Sequence, residues 1–319
     1  MLQVRKLVKI YPGGVTALQG IDLDVPPGMY GLLGHNGAGK STFMKILAGL
    51  LEPTSGAVTL DGTDILADPA AVHARLGYLP QDFGFYPHLN GEQMLTYLLR
   101  LKGVEAPGGL KNLVAQLLER VNLSFAAKRK LKGYSGGMRQ RLGIAQALAG
   151  DPRLIVVDEP TAGLDPEERQ RFYRLLADLA SDRIVLLSTH IVEDVAVLCP
   201  RFAVISKGRL VAETTPDEAR ERLAGKIFEG RGSDEDLVAI RQRYQVTQSI
   251  LVAGENRVRI CVPQGAPPAG FQPVEANLED TYMTLVGETP LNGPDPAPPV
   301  DAAPPAEAAE PAMAAGGGE

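Results

Sequence analysis

The spacing of hydrophobic and polar positions changes several times along this chain. Leu2, Val4 and Leu7-Val8 suit a strand over residues 2–10. Leu18, Ile21, Leu23 and Val25 suit a second, closed by Pro26-Pro27-Gly28. An apolar run with Tyr30 and Leu32-Leu33 then meets a glycine-rich loop. After that loop, Phe43, Met44, Ile46 and Leu47 have helical spacing up to about Gly49. Two further strands are predicted over 56–62 and 76–79. From about 82 to 149 the period is helical, with helices predicted over 92–102, 110–121 and 136–149. Asn90 followed by Gln93 resembles a capping box at the first of these. Residues 154–157 are apolar without alternation, as in a parallel strand covered on both faces, and 183–187 predict another buried strand. Helices are predicted over 166–180 and 191–198. Two strands, 202–206 and 209–213, straddle Lys207-Gly208 as a hairpin.

After about residue 225 the pattern is that of a small α+β unit. It has a strand near Ile227-Phe228, a helix over 234–243, strands over 246–252 and 257–262, and a last helix over 278–285. From Glu288 onward Pro, Ala, Gly and acidic residues dominate, and such a segment buries too little apolar surface to offset chain entropy. The expected organisation is therefore an α/β domain over 1–224 with a helical insertion at about 82–149. An accessory α+β domain over 225–287 and a disordered tail over 288–319 complete it.

The 319 residues suffice for two domains with a large core, and the longest apolar runs are far too short to span a bilayer. No apolar run follows Met1-Leu2-Gln3-Val4-Arg5-Lys6, so no secretory signal is expected. Cys199 and Cys261 lack metal-ligand spacing and read as cytosolic thiols; the four histidines are scattered. The net charge of −6 resides in the tail, which carries six acidic residues and no Lys or Arg. The remainder is balanced at 32 basic against 32 acidic residues, which argues against a generally basic nucleic-acid surface.

The glycine-rich loop contains G-x-x-x-x-G-K-[ST] from Gly34 to Ser41, between a predicted strand and a predicted helix. That is the context of a phosphate-binding P-loop. Gly34, Gly37 and Gly39 let successive N–H groups turn inward, and the helix start adds partial positive charge. Lys40 suits β- and γ-phosphates, and the Ser41 hydroxyl suits Mg²⁺. The plainer reading is a glycine-rich turn. Strand 154–157 ends in Asp158-Glu159-Pro160, which matches a Walker B edge. There Asp158 would hold Mg²⁺ through water and Glu159 would polarise the attacking water; a pair of solvated loop acids is the plainer reading. His190 ends strand 183–187. Carboxyl ends of parallel strands share one crevice, which would bring His190 beside a γ-phosphate. Taken alone it is an exposed helix-start histidine. Ser135 is a natural N-cap, but two adjacent glycines, Gly136 and Gly137, in a first helical turn are costly and unexplained by the sequence.

The order of these motifs (P-loop, Gln81, Ser135-Gly136-Gly137, Asp158-Glu159, Gly163-Leu164-Asp165, His190) resembles the nucleotide-binding subunit of an ATP-binding cassette (ABC) transporter over residues 1 to about 220. The resemblance implies a P-loop NTPase core with a mostly parallel sheet, an antiparallel β subdomain and a helical insertion. It implies ATP and Mg²⁺ as ligands. Gly34, Asn36, Gly37, Gly39, Lys40, Ser41 and Thr42 would cradle the phosphates, and Tyr11 would stack on adenine. Ser41, Gln81 and Asp158 would serve the metal, with Gln81 also touching the attacking water. Ser135, Gly136 and Gly137 match the signature motif, which contacts the γ-phosphate held by an opposite subunit. Asp165 matches the D-loop and His190 the switch histidine.

Plainer roles also exist: Tyr11 as a core-edge aromatic, Gln81 as an ordinary loop residue, Asp165 as a helix N-cap ahead of Pro166. The family signature is usually LSGGQ; this chain has Tyr134 and Met138 at its ends. His35 stands where proline is common, a position that needs only a loop conformation. Residues 276–283 resemble the C-terminal helix of single-cassette ATPases serving ABC-2-type exporters. The resemblance thus implies a cytoplasmic ATPase, peripheral on the inner face of the cell membrane. It would act as a homodimer or with a paired ATPase subunit, joined to an integral membrane permease near residues 83–99, with no nucleic acid expected. A soluble repair or translation ATPase would need coiled coils, zinc hooks or tandem cassettes, none of which the sequence carries. A P-loop kinase or GTPase does not account for the Ser-Gly-Gly signature.

Overall fold

A computed structural model describes residues 1–67, 75–81 and 84–287. The expected tail, and Phe83 in the expected permease-facing segment, lie outside the described residues.

The strands are β1 (Leu2–Ile10), β2 (Thr16–Val25), β3 (Gly28–Leu33), β4 (Ser55–Leu60), β5 (Thr63–Asp64), β6 (Leu76–Leu79), β7 (Leu154–Asp158), β8 (Ile184–Thr189), β9 (Arg201–Ser206) and β10 (Arg209–Thr214). The C-terminal strands are β11 (Ile227–Gly232), β12 (Gln245–Val252), β13 (Glu255–Cys261) and β14 (Gln272–Pro273). The described helices are α1 (Lys40–Leu47), α2 (Gly91–Leu101), α3 (Leu110–Arg120), α4 (Gly136–Ala147), α5 (Pro166–Leu179), α6 (Val192–Leu198), α7 (Pro216–Glu221), α8 (Asp234–Arg243) and α9 (Leu278–Gly287).

The central sheet runs β10-β9-β3-β8-β7-β6. Its strands are parallel except at the edge, where the expected hairpin adds β10 antiparallel to β9. The continuous apolar strands are covered on both faces. On β7, Leu154 and Val156 face one cluster with α1 and the β1–β2–β4 sheet. Ile155 and Val157 face another with the helices α2 to α4. All four are fully buried, each worth about 1.5–3 kcal/mol of apolar burial. A second sheet, β2-β1-β4-β5, is antiparallel. The predicted capping box forms at α2: Asn90 accepts from the Gln93 N–H at 2.8 Å, and Gln93 accepts from the Asn90 N–H at 3.0 Å.

Register brings the key loops together. Leu33 of β3 pairs with Thr189 of β8, Asp158 of β7 with Ser188 of β8, and Leu79 of β6 with Val157 of β7. The segments that follow these strands, with Gly34, Gln81, Glu159 and His190, therefore leave the same edge of the sheet.

The C-terminal sheet, β12-β13-β11-β14, is antiparallel and carries α8 over its own small core of Ile240, Val258, Ile260, Val262 and Phe271. Its last helix reaches further. Asn277 and Asp280 form a reciprocal cap at the start of α9. Asp280, 1% exposed, also receives Arg259 of β13 at 2.6 Å and Thr247 of β12 at 2.5 Å. On another side, Thr281 donates to Ala219 O of α7 at 2.9 Å, and Tyr282, Leu285 and Val286 pack on the main core. Helix α9 thus fastens the small sheet to the larger body. The periodicity missed α7, although Thr215, Pro216 and Glu218 form a capping box with proline at the first turn. Six residues are too few for a visible apolar stripe.

Candidate active site

The loop after β3 is set by close packing. A Cβ on Gly34 would lie 2.5 Å from the Ile205 carbonyl. One on Gly39, whose φ is 109°, would lie 2.6 Å from the Ala17 carbonyl. Gly37 faces open space. Helix α1 begins at Lys40 with no side-chain cap and no acidic residue in its first turn, an arrangement suited to an anion. The Lys40 side chain is folded back over this loop. Its ammonium donates to Gly34 O at 2.7 Å and His35 O at 3.1 Å, and pairs with Glu159 Oε1 at 3.0 Å.

Glu159 is where the loops converge. It is 6% exposed and its other oxygen, Oε2, meets His190 Nδ1 at 3.0 Å and receives Gln81 Nε2 at 3.4 Å. Three residues distant in sequence, Lys40, Gln81 and His190, thus share one carboxylate. The backbone of Glu159 is left-handed, with φ 46°. That conformation costs of order 1–2 kcal/mol for a residue with a Cβ, and the Glu159 N–H is held by Ser188 O at 3.0 Å. Beside it, Asp158 accepts a hydrogen bond from the Ser188 hydroxyl. Burial pushes the Asp158 carboxyl above its usual pKa; hydrogen bonds from Ser188 and Ser41 and the charge of Lys40 act the other way. Ser41 and Asp158 together offer hard oxygen donors, a set that fits Mg²⁺ supplemented by phosphate and water. Among the described residues there is no cluster of three or more His, Cys, Asp or Glu able to hold a metal alone.

The other expected residues lie around this centre or apart from it. The Tyr11 hydroxyl meets Thr42 Oγ1 at 3.2 Å, which ties the aromatic to α1, and Lys9 stands over its ring at 5.4 Å. The Asn36 carbonyl meets His35 Nδ1 at 2.6 Å. Asp165 caps α5 by accepting from the Glu168 N–H at 2.7 Å. Ser135 caps α4, accepting from the Met138 N–H at 3.2 Å. Its neighbours Tyr134 and Met138 are buried, and the Tyr134 hydroxyl donates to Ala126 O at 2.9 Å. The two unusual ends of the signature are therefore anchors in the core of the helical insertion.

Three supporting residues escaped sequence reasoning. Asp194, fully buried on α6, accepts from Thr161 at 2.6 Å, from Thr189 at 2.8 Å and from the Tyr173 hydroxyl. It thereby joins the loop after Glu159, helix α5 and the strand end before His190. Its signal was an acid beside the core-facing Val195. Glu168, an acid in the first turn of α5, touches the start of α4. Tyr282 of α9 is the third. Burial raises the pKa of its phenol, against the opposing influence of the His35 main chain.

Known proteins resemble this chain over most of its length. The family profile described as ABC transporter matches residues 18–162. The chain is 35% identical to the linearmycin resistance ATP-binding protein LnrL of Bacillus subtilis, over 91% of this chain and 99% of that protein. It is 37% identical to the daunorubicin/doxorubicin resistance ATP-binding protein DrrA of Streptomyces peucetius, over 76% and 73%. It is 33% identical to the Nod factor export ATP-binding protein I of Cupriavidus metallidurans, over 90% and 97%. Among solved structures, a dimeric ATP-binding cassette in a post-hydrolysis state bound to ADP and Pi superposes with a TM-score of 0.61 at 25% identity, covering 67% of this chain and 98% of that one.

Proposed function

We propose a specific division of labour for this chain, which belongs to the ABC transporter family and is an ATP-binding, ATP-hydrolysing subunit that powers an exporter. Gly34 to Thr42 would hold the phosphates of ATP, with Lys40 turning from Glu159 toward the β- and γ-phosphates, and Tyr11 stacking on adenine. Ser41 and Asp158, with Gln81 nearby, would hold Mg²⁺, which when bound supplies charge neutralisation on the phosphates. Glu159 polarises the attacking water, and His190 and Gln81 hold Glu159 and report on the γ-phosphate. Ser135, Gly136 and Gly137 serve the nucleotide of a partner subunit in a head-to-tail dimer, with Asp165 at the shared boundary. Residues 1–224 form the ATPase domain and 225–287 an accessory domain. Among the described residues no helix is long and apolar enough to cross a membrane. The subunit would therefore work at the inner membrane face through a separate permease, received by the helical insertion.

One observation carries this reading: Lys40, Gln81 and His190 converge on Glu159 at the carboxyl edge of the sheet. Its test is Glu159→Gln. Hydrolysis should fall on the order of 10²–10⁴-fold while ATP binding persists and an ATP-bound dimer accumulates, measured by phosphate release and light scattering. Full hydrolytic activity in that variant removes Glu159 from the role.

A further inference from the structure

Glu168 is the third residue of α5, yet its side chain serves the start of α4. The Ser135 hydroxyl donates to Glu168 Oε1 at 2.5 Å, and the Gly137 N–H donates to Oε2 at 3.1 Å. One carboxylate thus bridges a hydroxyl and a main-chain N–H in a helix's first turn. The approach is so close that a Cβ on Gly137 would lie 2.6 Å from the carboxyl carbon and 2.8 and 2.9 Å from its oxygens. The glycine at 137 leaves room for the carboxylate to come this close. Arg141, one turn along α4, is the nearby cation; it donates to Gly137 O at 3.3 Å and Asn122 O at 3.0 Å, and its charge acts with that of Glu168. Two carboxylate oxygens held by a hydroxyl and an amide at a helix start present the geometry that two phosphoryl oxygens would.

We propose that Glu168 is an internal stand-in for phosphate on the signature turn, and that its displacement sets the ATP concentration at which two subunits close. This rests on the head-to-tail reading above. Glu168 has two opposed effects: it orders the turn, and it must leave when a partner's γ-phosphate arrives. The ordering contributes little, because the Met138 N–H already bonds to Ser135 Oγ, and Tyr134 and Met138 are buried on either side. The displacement breaks two charge-assisted bonds and brings two anions together, so it dominates. Each closed dimer uses two such turns, which doubles the effect.

The experiment places Glu168→Ala and Glu168→Gln in the Glu159→Gln parent and follows dimer formation by light scattering during an ATP titration. The ATP midpoint should fall about tenfold for Glu168→Ala, the equivalent of one charge-assisted hydrogen bond. It should fall less for Glu168→Gln, which keeps a neutral acceptor. ATP affinity of dilute monomer should not change, and neither should the midpoint of Glu167→Gln, altered at an exposed acid one residue away. A midpoint unchanged or raised in both Glu168 variants overturns the proposal. A second readout is the Gly137 amide proton resonance, which should move upfield in Glu168→Gln; an unmoved resonance also overturns it. A parent that forms no dimer at saturating ATP overturns the head-to-tail reading itself.

Discussion

Glu159 and Glu168 each hold donors at a glycine-rich helix start, but they do so in different surroundings. Glu159 is 6% exposed, and its cation, Lys40, is 4% exposed. Glu168 is partly exposed, and Ser135 and Gly136 beside it are exposed. The buried pair sits where desolvation makes an unmatched charge expensive. The rim carboxylate is close to water and can leave its donors at modest cost. The same chemistry is thus part of the core's electrostatics at the P-loop and an exchangeable contact at the signature turn. A subunit that completes its site with another copy needs that asymmetry: one half kept ready, the other able to let go.

The contrast can be broken most strongly at Lys40. Lys40→Ala leaves Glu159 buried without its cation and should cost about 3–5 kcal/mol, read from urea unfolding midpoints. Lys40→Ala with Glu159→Gln should recover most of that loss. A single variant as stable as the parent would place Glu159 in an environment no drier than that of Glu168. The signature side is sharpened by Gly137→Ala. The added Cβ displaces the Glu168 carboxyl, the flexible end of a long side chain, and should cost about 1–2 kcal/mol through the hydrogen bonds it gives up. Adding Glu168→Ala should reverse the sign, since alanine favours a helix over glycine by roughly 0.5–1 kcal/mol. The smallest effect is expected at Tyr282→Phe, which removes the α9 hydroxyl whose pKa feels the His35 main chain. Stability should fall by about 0.5–1.5 kcal/mol, and ATP affinity by calorimetry should change a few-fold, showing whether α9 shares in holding the P-loop.

Much of the fold was legible because its signals are local. The continuous apolar run of β7, the Asn90–Gln93 cap and the Lys207-Gly208 turn each follow from a few adjacent residues. The loop of Gly34 to Ser41 was legible for the same reason: its glycines, Lys40 and Ser41 stand at fixed spacing within a single short stretch. Short α7 and two-residue β14 left no periodic trace. Asp194 was invisible as a hub because its three hydroxyl partners come from three separate elements. Glu168 was hidden by a sufficient local explanation, an acid in the first turn of a helix.

The order of motifs, the alternation of strands and helices, and the chemistry available at Lys40, Asp158, Glu159 and His190 are properties of the sequence itself. They depend on residue type and spacing, which chain order preserves. Which acid meets which donor depends on sheet register and helix packing. The carboxyl edge of β3, β8, β7 and β6 gathers Lys40, Gln81 and His190 onto Glu159. The packing of α5 beside α4 lays Glu168 on Ser135 and Gly137. Those contacts join residues separated by tens to hundreds of positions, and only the folded chain brings them within hydrogen-bonding reach.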